Sequence, residues 1–300
     1  MLLTTFINES TALLEPLYPT KEARNIVLML CEDILHTKSY THIVEPEYVM
    51  DDKMLPRLKD GMARLIEGEP IQYVVGKSEF CGLSFHVNPA VLIPRPETEL
   101  LVREAIKVAS RIQRMRIPYG RKALPVRILD LCTGSGCIAW TLALSVPGCK
   151  VVAVDISEAA LEVARNQPFA SKLKETDAVA PLFVNADVLN TSQEFDYGEF
   201  DLIVSNPPYI MESEKVLLRK NVLDYEPALA LFVPDEDPLM FYRAIAVWSN
   251  RLLAKDGKCL TEINEQLGKE TEAVFHEAGF KMTEIVKDFY DKNRFIFYSK

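Results

Sequence analysis

From residue 126 onward the chain alternates two kinds of segment, and this alternation leaves few folds open. Short apolar runs with β-branched members occupy 126–131, 150–154, 181–185, 201–205 and 258–263. Each has the length and composition of a strand covered on both faces, and helical stretches intervene. Strand, helix and strand in repetition predict an α/β protein with a doubly wound parallel sheet and right-handed crossovers. The tail departs from this pattern: "KMTEIVKDFY" and "RFIFYSK" are strand-like runs close together, so an antiparallel hairpin is expected at the sheet edge. Residues 1–70 read as a small helical domain. "KEARNIVLMLCEDIL" sets Ala23, Ile26, Val27, Leu30 and Ile34 on one stripe, and "KMLPRLKDGMARLIEG" does the same with Leu55, Leu58, Met62 and Leu65. Residues 71–92 alternate as a β-hairpin would and link this part to a domain over 93–300. "GKS" at Gly76 fails as a phosphate loop, since Ile71 stands where that motif needs glycine.

A ligand site is expected where the strands end. In "ILDLCTGSGCIA" an apolar strand stops at Leu131, Gly134 and Gly136 turn the chain, and a helix begins near Cys137. This turn lets a ligand approach the backbone. The spacing also satisfies a dinucleotide fingerprint, which is weak evidence alone. About twenty residues on, a second strand ends in Asp155, suited to accept ribose hydroxyls. Asp187 and Val188 follow the third strand, placed for an adenine amino group and ring, and Asn206 ends the fourth. Asp130 precedes the glycines on the first strand, where its charge would repel a pyrophosphate but welcome a sulfonium and an amino group. A methyl donor therefore fits better than a nicotinamide. For any one of these acids a helix cap or turn is an equal explanation; four polar residues at consecutive strand ends make that explanation weak.

"DLIVSNPPYI" ends a buried strand in an amide, two prolines and a tyrosine. Pro207 and Pro208 have no N–H and fixed φ, so the segment leaves the sheet as a stiff loop. The Asn206 side-chain oxygen and the Pro207 carbonyl then become rigid neutral acceptors for a planar NH₂ group, on which Tyr209 can pack. A glutamine amide and an exocyclic amine of a nucleic-acid base both meet that description.

Composition narrows the choice. A net charge of -9 and a pI near 5.2 argue against a whole-molecule grip on nucleic acid. The basic residues Arg111, Arg114, Arg116, Arg121, Lys122 and Arg127 read as a solvated connection rather than an RNA dock. Six scattered cysteines without a C-x-x-C pair, and only four histidines, give no metal-ligand spacing. The start lacks a signal-peptide pattern and no long apolar span occurs, so a reduced cytoplasmic setting without membrane is expected.

The chain resembles the class I S-adenosylmethionine-dependent methyltransferases, with their Rossmann-like sheet, and more closely the protein-glutamine N5 methyltransferases of peptide release factors. The resemblance rests on "VLIPRPETE", "DLCTGSGCIA", "VDIS" and "SNPPYI", with weaker support from "EPIQYVVG", "YEPALALF" and "EINEQLG". It implies S-adenosyl-L-methionine bound by Asp130, Cys132, Thr133, Gly134, Ser135, Gly136, Asp155, Ile156, Asp187, Val188 and Asn206. It implies catalysis and substrate binding by Asn206, Pro207, Pro208 and Tyr209. Arg95 is a candidate for contact with the donor's carboxylate or the partner, although Pro96, Glu97 and Glu99 around it also suit a helix N-terminus. The helical module implies a protein partner, the GGQ loop of class 1 release factors, with nucleic acid unexpected as a direct substrate. Cys132 stands where glycine is common, and "VPDEDPL" and "YDKNR" also lack expected glycines. The alternatives are a base N-methyltransferase, a non-catalytic adaptor and, more remotely, a nicotinamide enzyme.

Overall fold

The computed structural model describes residues 1–116, 124–176 and 178–300. Seven strands form the main sheet. Strands β1 (Lys77–Phe80) and β2 (Leu83–His86) make a separate pair, joined by Cys81 and Gly82, both at positive φ as a tight two-residue hairpin turn requires. The main sheet then gathers β3 (Arg127–Leu131), β4 (Lys150–Asp155), β5 (Leu182–Asn185) and β6 (Phe200–Ser205). The short strands β7 (Ile210–Met211) and β8 (Phe232–Val233) pair with each other, and β9 (Leu253–Glu262), β10 (Met282–Lys287) and β11 (Asn293–Ser299) return to the main sheet.

Its order is β10-β11-β9-β6-β3-β4-β5. Pairing is parallel from β5 through β9 and antiparallel for the β10–β11 pair and where β11 joins β9, so the chain's last two strands close the edge as expected. Because β3 is flanked by β4 and β6, the strand order reverses there, and a crevice opens at the carboxyl ends of those strands. Alternation within each strand divides two cores. Ile128, Leu202 and Val204 pack with the helices Pro96–Met115 and Cys137–Ser145; Leu129, Val152 and Ile203 pack on the other face with Tyr242 and Trp248 of the helix Met240–Leu252.

The chain divides into two compact units, Met1–Lys77 with Leu218–Tyr225, and Ser78–Leu217 with Glu226–Lys300. In the first, the helices Leu3–Leu14, Thr20–Leu35 and Leu55–Ile66 bury the stripes read from sequence: Ala23, Ile26, Val27, Leu30, Ile34, Leu58, Met62 and Leu65 are all buried. Leu218–Tyr225 joins them through an Arg219–Glu22 ion pair and a hydrogen bond from the Tyr225 hydroxyl to the Glu67 carbonyl. The hairpin expected from residue 71 begins later. Ile71–Val75 is a short helix, entered from Pro70 and closed by Gly76 at φ 72.

The basic segment is only partly a solvated connection. Arg121 and Lys122 lie outside the described residues. Arg116 instead forms an ion pair with buried Asp201, whose carboxylate also accepts the Arg127 backbone N–H at 2.9 Å. The Arg127 guanidinium donates to the carbonyls of Glu199 and Tyr197.

Candidate active site

The glycine turn after β3 is built by its backbone. Cys132, Gly134 and Gly136 have φ of 62, 53 and 78, all in the left-handed region. A Cβ on Gly136 would sit 3.1 Å from Ala164 Cβ and from Trp140 Cδ1, so tight packing adds to the dihedral in favouring glycine there. Gly134 has nothing within 4 Å of the same position. The Thr133 N–H donates to the Val154 carbonyl at 2.9 Å, and Gln167 Nε2 donates to the Ser135 carbonyl at 3.1 Å, pinning both sides of the turn.

Three acids surround it. Asp155, at the end of β4, accepts the Gly134 N–H on Oδ2 at 2.8 Å and the Ser157 N–H on Oδ1 at 2.9 Å. Burial raises its carboxyl above the usual range, against those N–H bonds. Asp187 accepts the Leu189 N–H at 2.8 Å, and the neighbouring Val188 carbonyl accepts Trp248 Nε1–H at 2.9 Å. Asp130 is fully buried: Oδ2 accepts the Thr133 hydroxyl at 2.5 Å, and Oδ1 has no partner among the described residues. Burial, reinforced by the charge of Asp155, pushes Asp130 up to about 7, with the Thr133 hydrogen bond opposing.

At the end of β6, Asn206 Nδ2 donates to the Thr98 hydroxyl at 3.1 Å. Thr98 in turn donates to Glu262 Oε2 at 2.7 Å, and the Tyr209 hydroxyl donates to Glu262 Oε1 at 2.9 Å. Glu262 closes β9 and is almost wholly buried, which raises its pKa; the Thr98 and Tyr209 hydroxyls and the charge of Arg294 oppose that rise. Burial first, and Glu262 second, hold the Tyr209 phenol well above its ordinary range, so it remains an O–H donor.

Of the residues singled out from sequence, Arg95, Cys132, Thr133, Gly134, Ser135, Asp155, Ile156, Asp187, Val188, Asn206 and Pro208 line one cleft. Asp130, Gly136, Pro207 and Tyr209 do not line it. Asp130 and Gly136 lie within the turn's own packing, and Tyr209 is tied to Glu262 by its hydroxyl. Arg95 is engaged by a protein carboxylate: Nη2 meets Glu226 Oε1 at 2.6 Å, and Glu226 Oε2 also accepts the Ile93 N–H at 3.1 Å. Among the described residues no three His, Cys, Asp or Glu side chains cluster as a metal site, and no helix is long and apolar enough to cross a membrane.

The sequence that builds this site matches known families along the chain. The Methyltransferase small domain matches residues 116–224, and the PrmC N-terminal domain matches residues 6–76. A release factor glutamine methyltransferase of Flavobacterium psychrophilum is 38% identical over 296 residues, covering 99% of this chain and 98% of its own. One of Bacteroides thetaiotaomicron is 38% identical over 294 residues, covering 98% of each. The chain belongs to the release factor glutamine methyltransferase family. A family member from Clostridium acetobutylicum is 34% identical over 255 residues, 85% of this chain and 83% of its own.

For a member of this family, sequence reading overlooked Thr98, Glu262 and Glu226 at the site. Each lay inside a stretch already quoted for the resemblance: "IPRPETE", "EINEQLG" and "YEPALALF". The available signal was a short polar residue in a helix's first turn and acids adjoining apolar residues, Glu226 beside Tyr225 and Glu262 before Ile263.

Proposed function

We propose that this chain moves the methyl group of S-adenosyl-L-methionine to the side-chain amide nitrogen of the GGQ-loop glutamine in class 1 peptide release factors, in the cytoplasm. What carries the reading is the match over 99% of the chain to a curated enzyme of that name, helical module included. Free cysteines at all six positions suit a reducing compartment.

The residues fit the donor. Gly134 leaves open space beside the backbone, Asp155 keeps lone pairs beyond its two N–H bonds for ribose hydroxyls, and Ile156 offers an exposed apolar face in the cleft. Asp187 and Val188 suit the adenine edge and face. Asp130, with one oxygen unpartnered, contributes negative potential from beneath the turn rather than a contact at the cleft wall. When bound, the donor supplies an electrophilic methyl group on a sulfonium.

An amide nitrogen is a poor nucleophile, because its lone pair is delocalised into the carbonyl. Asn206 and Pro207 act on that difficulty by position. Asn206 Oδ1 accepts no hydrogen bond among the described residues and offers one neutral oxygen from the cleft wall to the substrate amide; the Pro207 carbonyl, outside that wall, would supply the second as the amide seats against the loop. Both orient the nitrogen and favour the positive charge that grows on it during transfer. The surplus proton passes to water afterwards, when the methylated nitrogen has become acidic. Tyr209 steadies the loop through Glu262, and Arg95 shapes the cleft mouth through Glu226.

Purified protein with isotopically labelled donor should mark a release factor and spare a variant with the loop glutamine replaced by alanine. Equal labelling of both, or labelling of RNA or DNA in preference, would overturn the assignment.

A further inference from the structure

A carboxamide side chain can be turned end for end with almost no change in shape, yet the two orientations are opposite in function: one offers an acceptor to the cleft and the other a donor. In this protein the choice is made two residues away. The Thr98 hydroxyl has one hydrogen, and it goes to Glu262 Oε2 at 2.7 Å. Thr98 therefore has only lone pairs left for its other neighbour, and Asn206 must meet it with Nδ2, at 3.1 Å. Oδ1 is then the end left for the cleft that Asn206 lines. Glu262 is suited to command this chain because a carboxylate only accepts. Its second oxygen takes the Tyr209 hydroxyl at 2.9 Å, so a single buried side chain ties both ends of the Asn206–Tyr209 tetrapeptide.

We propose that Thr98 and Glu262 are positioning residues that set the polarity of Asn206, holding its oxygen toward the substrate nitrogen. Thr98 lines the cleft but spends its hydroxyl on Glu262 and Asn206; Glu262 reaches Asn206 through Thr98 and holds Tyr209 directly. The role in turnover rests on the amide-methylation reading above, whereas the orientation itself does not.

The test uses full-length protein with ¹⁵N-labelled asparagine, in which hydrogen exchange of the Asn206 carboxamide is followed by NMR, beside turnover on a release factor. Thr98→Val, nearly isosteric, should speed that exchange about tenfold or more and lower kcat about 10- to 100-fold, with donor Kd within about threefold of wild type. Thr98→Ser should restore both. Glu262→Gln should lower kcat, because its NH₂ end must face one of two hydroxyls, and in Asn206 exchange, which Glu262 reaches only through Thr98, combining it with Thr98→Val should add little to Thr98→Val alone. Unchanged exchange in Thr98→Val, failure of Thr98→Ser to rescue, or full additivity in the double variant would each overturn the proposal. If wild type left release factor unmethylated while exchange still responded to Thr98→Val, the orientation would stand and the amide-methylation reading would fall.

Discussion

Asp130 combines complete burial with an oxygen that no described protein group satisfies, and this has a measurable sign. Its carboxyl titrates at about 7 in the folded chain, against about 3.8 when exposed. Between those values the folded state keeps a proton that the unfolded chain has released. Stability from this group is therefore greatest below about pH 4, falls as pH rises through the interval, and levels off above about pH 7. Asparagine removes the titration. The unfolding free energy of wild type minus that of Asp130→Asn, measured by urea titration, should decline between about pH 4 and pH 7.5; a flat or rising difference would contradict the assignment. The acids at the strand ends were legible because each follows its own strand in sequence. The Thr98–Glu262 contact was not, since it joins residues 164 positions apart. Departures from expected glycines at Cys132 and within "YDKNR" keep a backbone that glycine would favour: Cys132 and Asp291 both have φ 62, a region that aspartate enters more readily than cysteine.

The sheet was readable from sequence because its central strands are short apolar, β-branched runs buried on both faces, as in β3, β4 and β6, and the closing hairpin because its two runs are so near each other. The Ile71–Val75 helix was missed for a physical reason: five apolar-rich residues are too short for periodicity to separate helix from strand. The basic segment was misread in a different way, since charge alone does not reveal a partner folded in from 85 residues away. Asp201, at the start of β6, gathers Arg116 and the Arg127 N–H around one buried carboxylate, fixing β6 beside β3 at the ends remote from the cleft. Asp201→Ala should leave the partly exposed Arg116 charge to solvent and the Arg127 N–H without that partner, and destabilise the chain by about 1–2 kcal/mol. Chemical denaturation would check this, and a loss below about 0.5 kcal/mol would show the clasp to be an ordinary surface pair.

At the scale of the whole chain, the first compact unit takes in Met1–Lys77 and also Leu218–Tyr225, a return that the change of pattern after residue 70 does not announce. No sequence signal marks that return, because the segment is short and its ties, Arg219 to Glu22 and Tyr225 to Glu67, span the chain. A chain lacking residues 1–76 should be cut by trypsin at Arg219 and Lys220 far faster than the intact protein, with the products identified by mass spectrometry. Equal rates would mean that the segment holds its conformation unaided. Because the polypeptide leaves the methyltransferase unit between the asparagine-proline loop and Glu226, then re-enters it, the helical module is sewn in at two places. A graft of this module onto another enzyme would have to carry both pieces, and swapping amino-terminal segments alone would leave one of them behind.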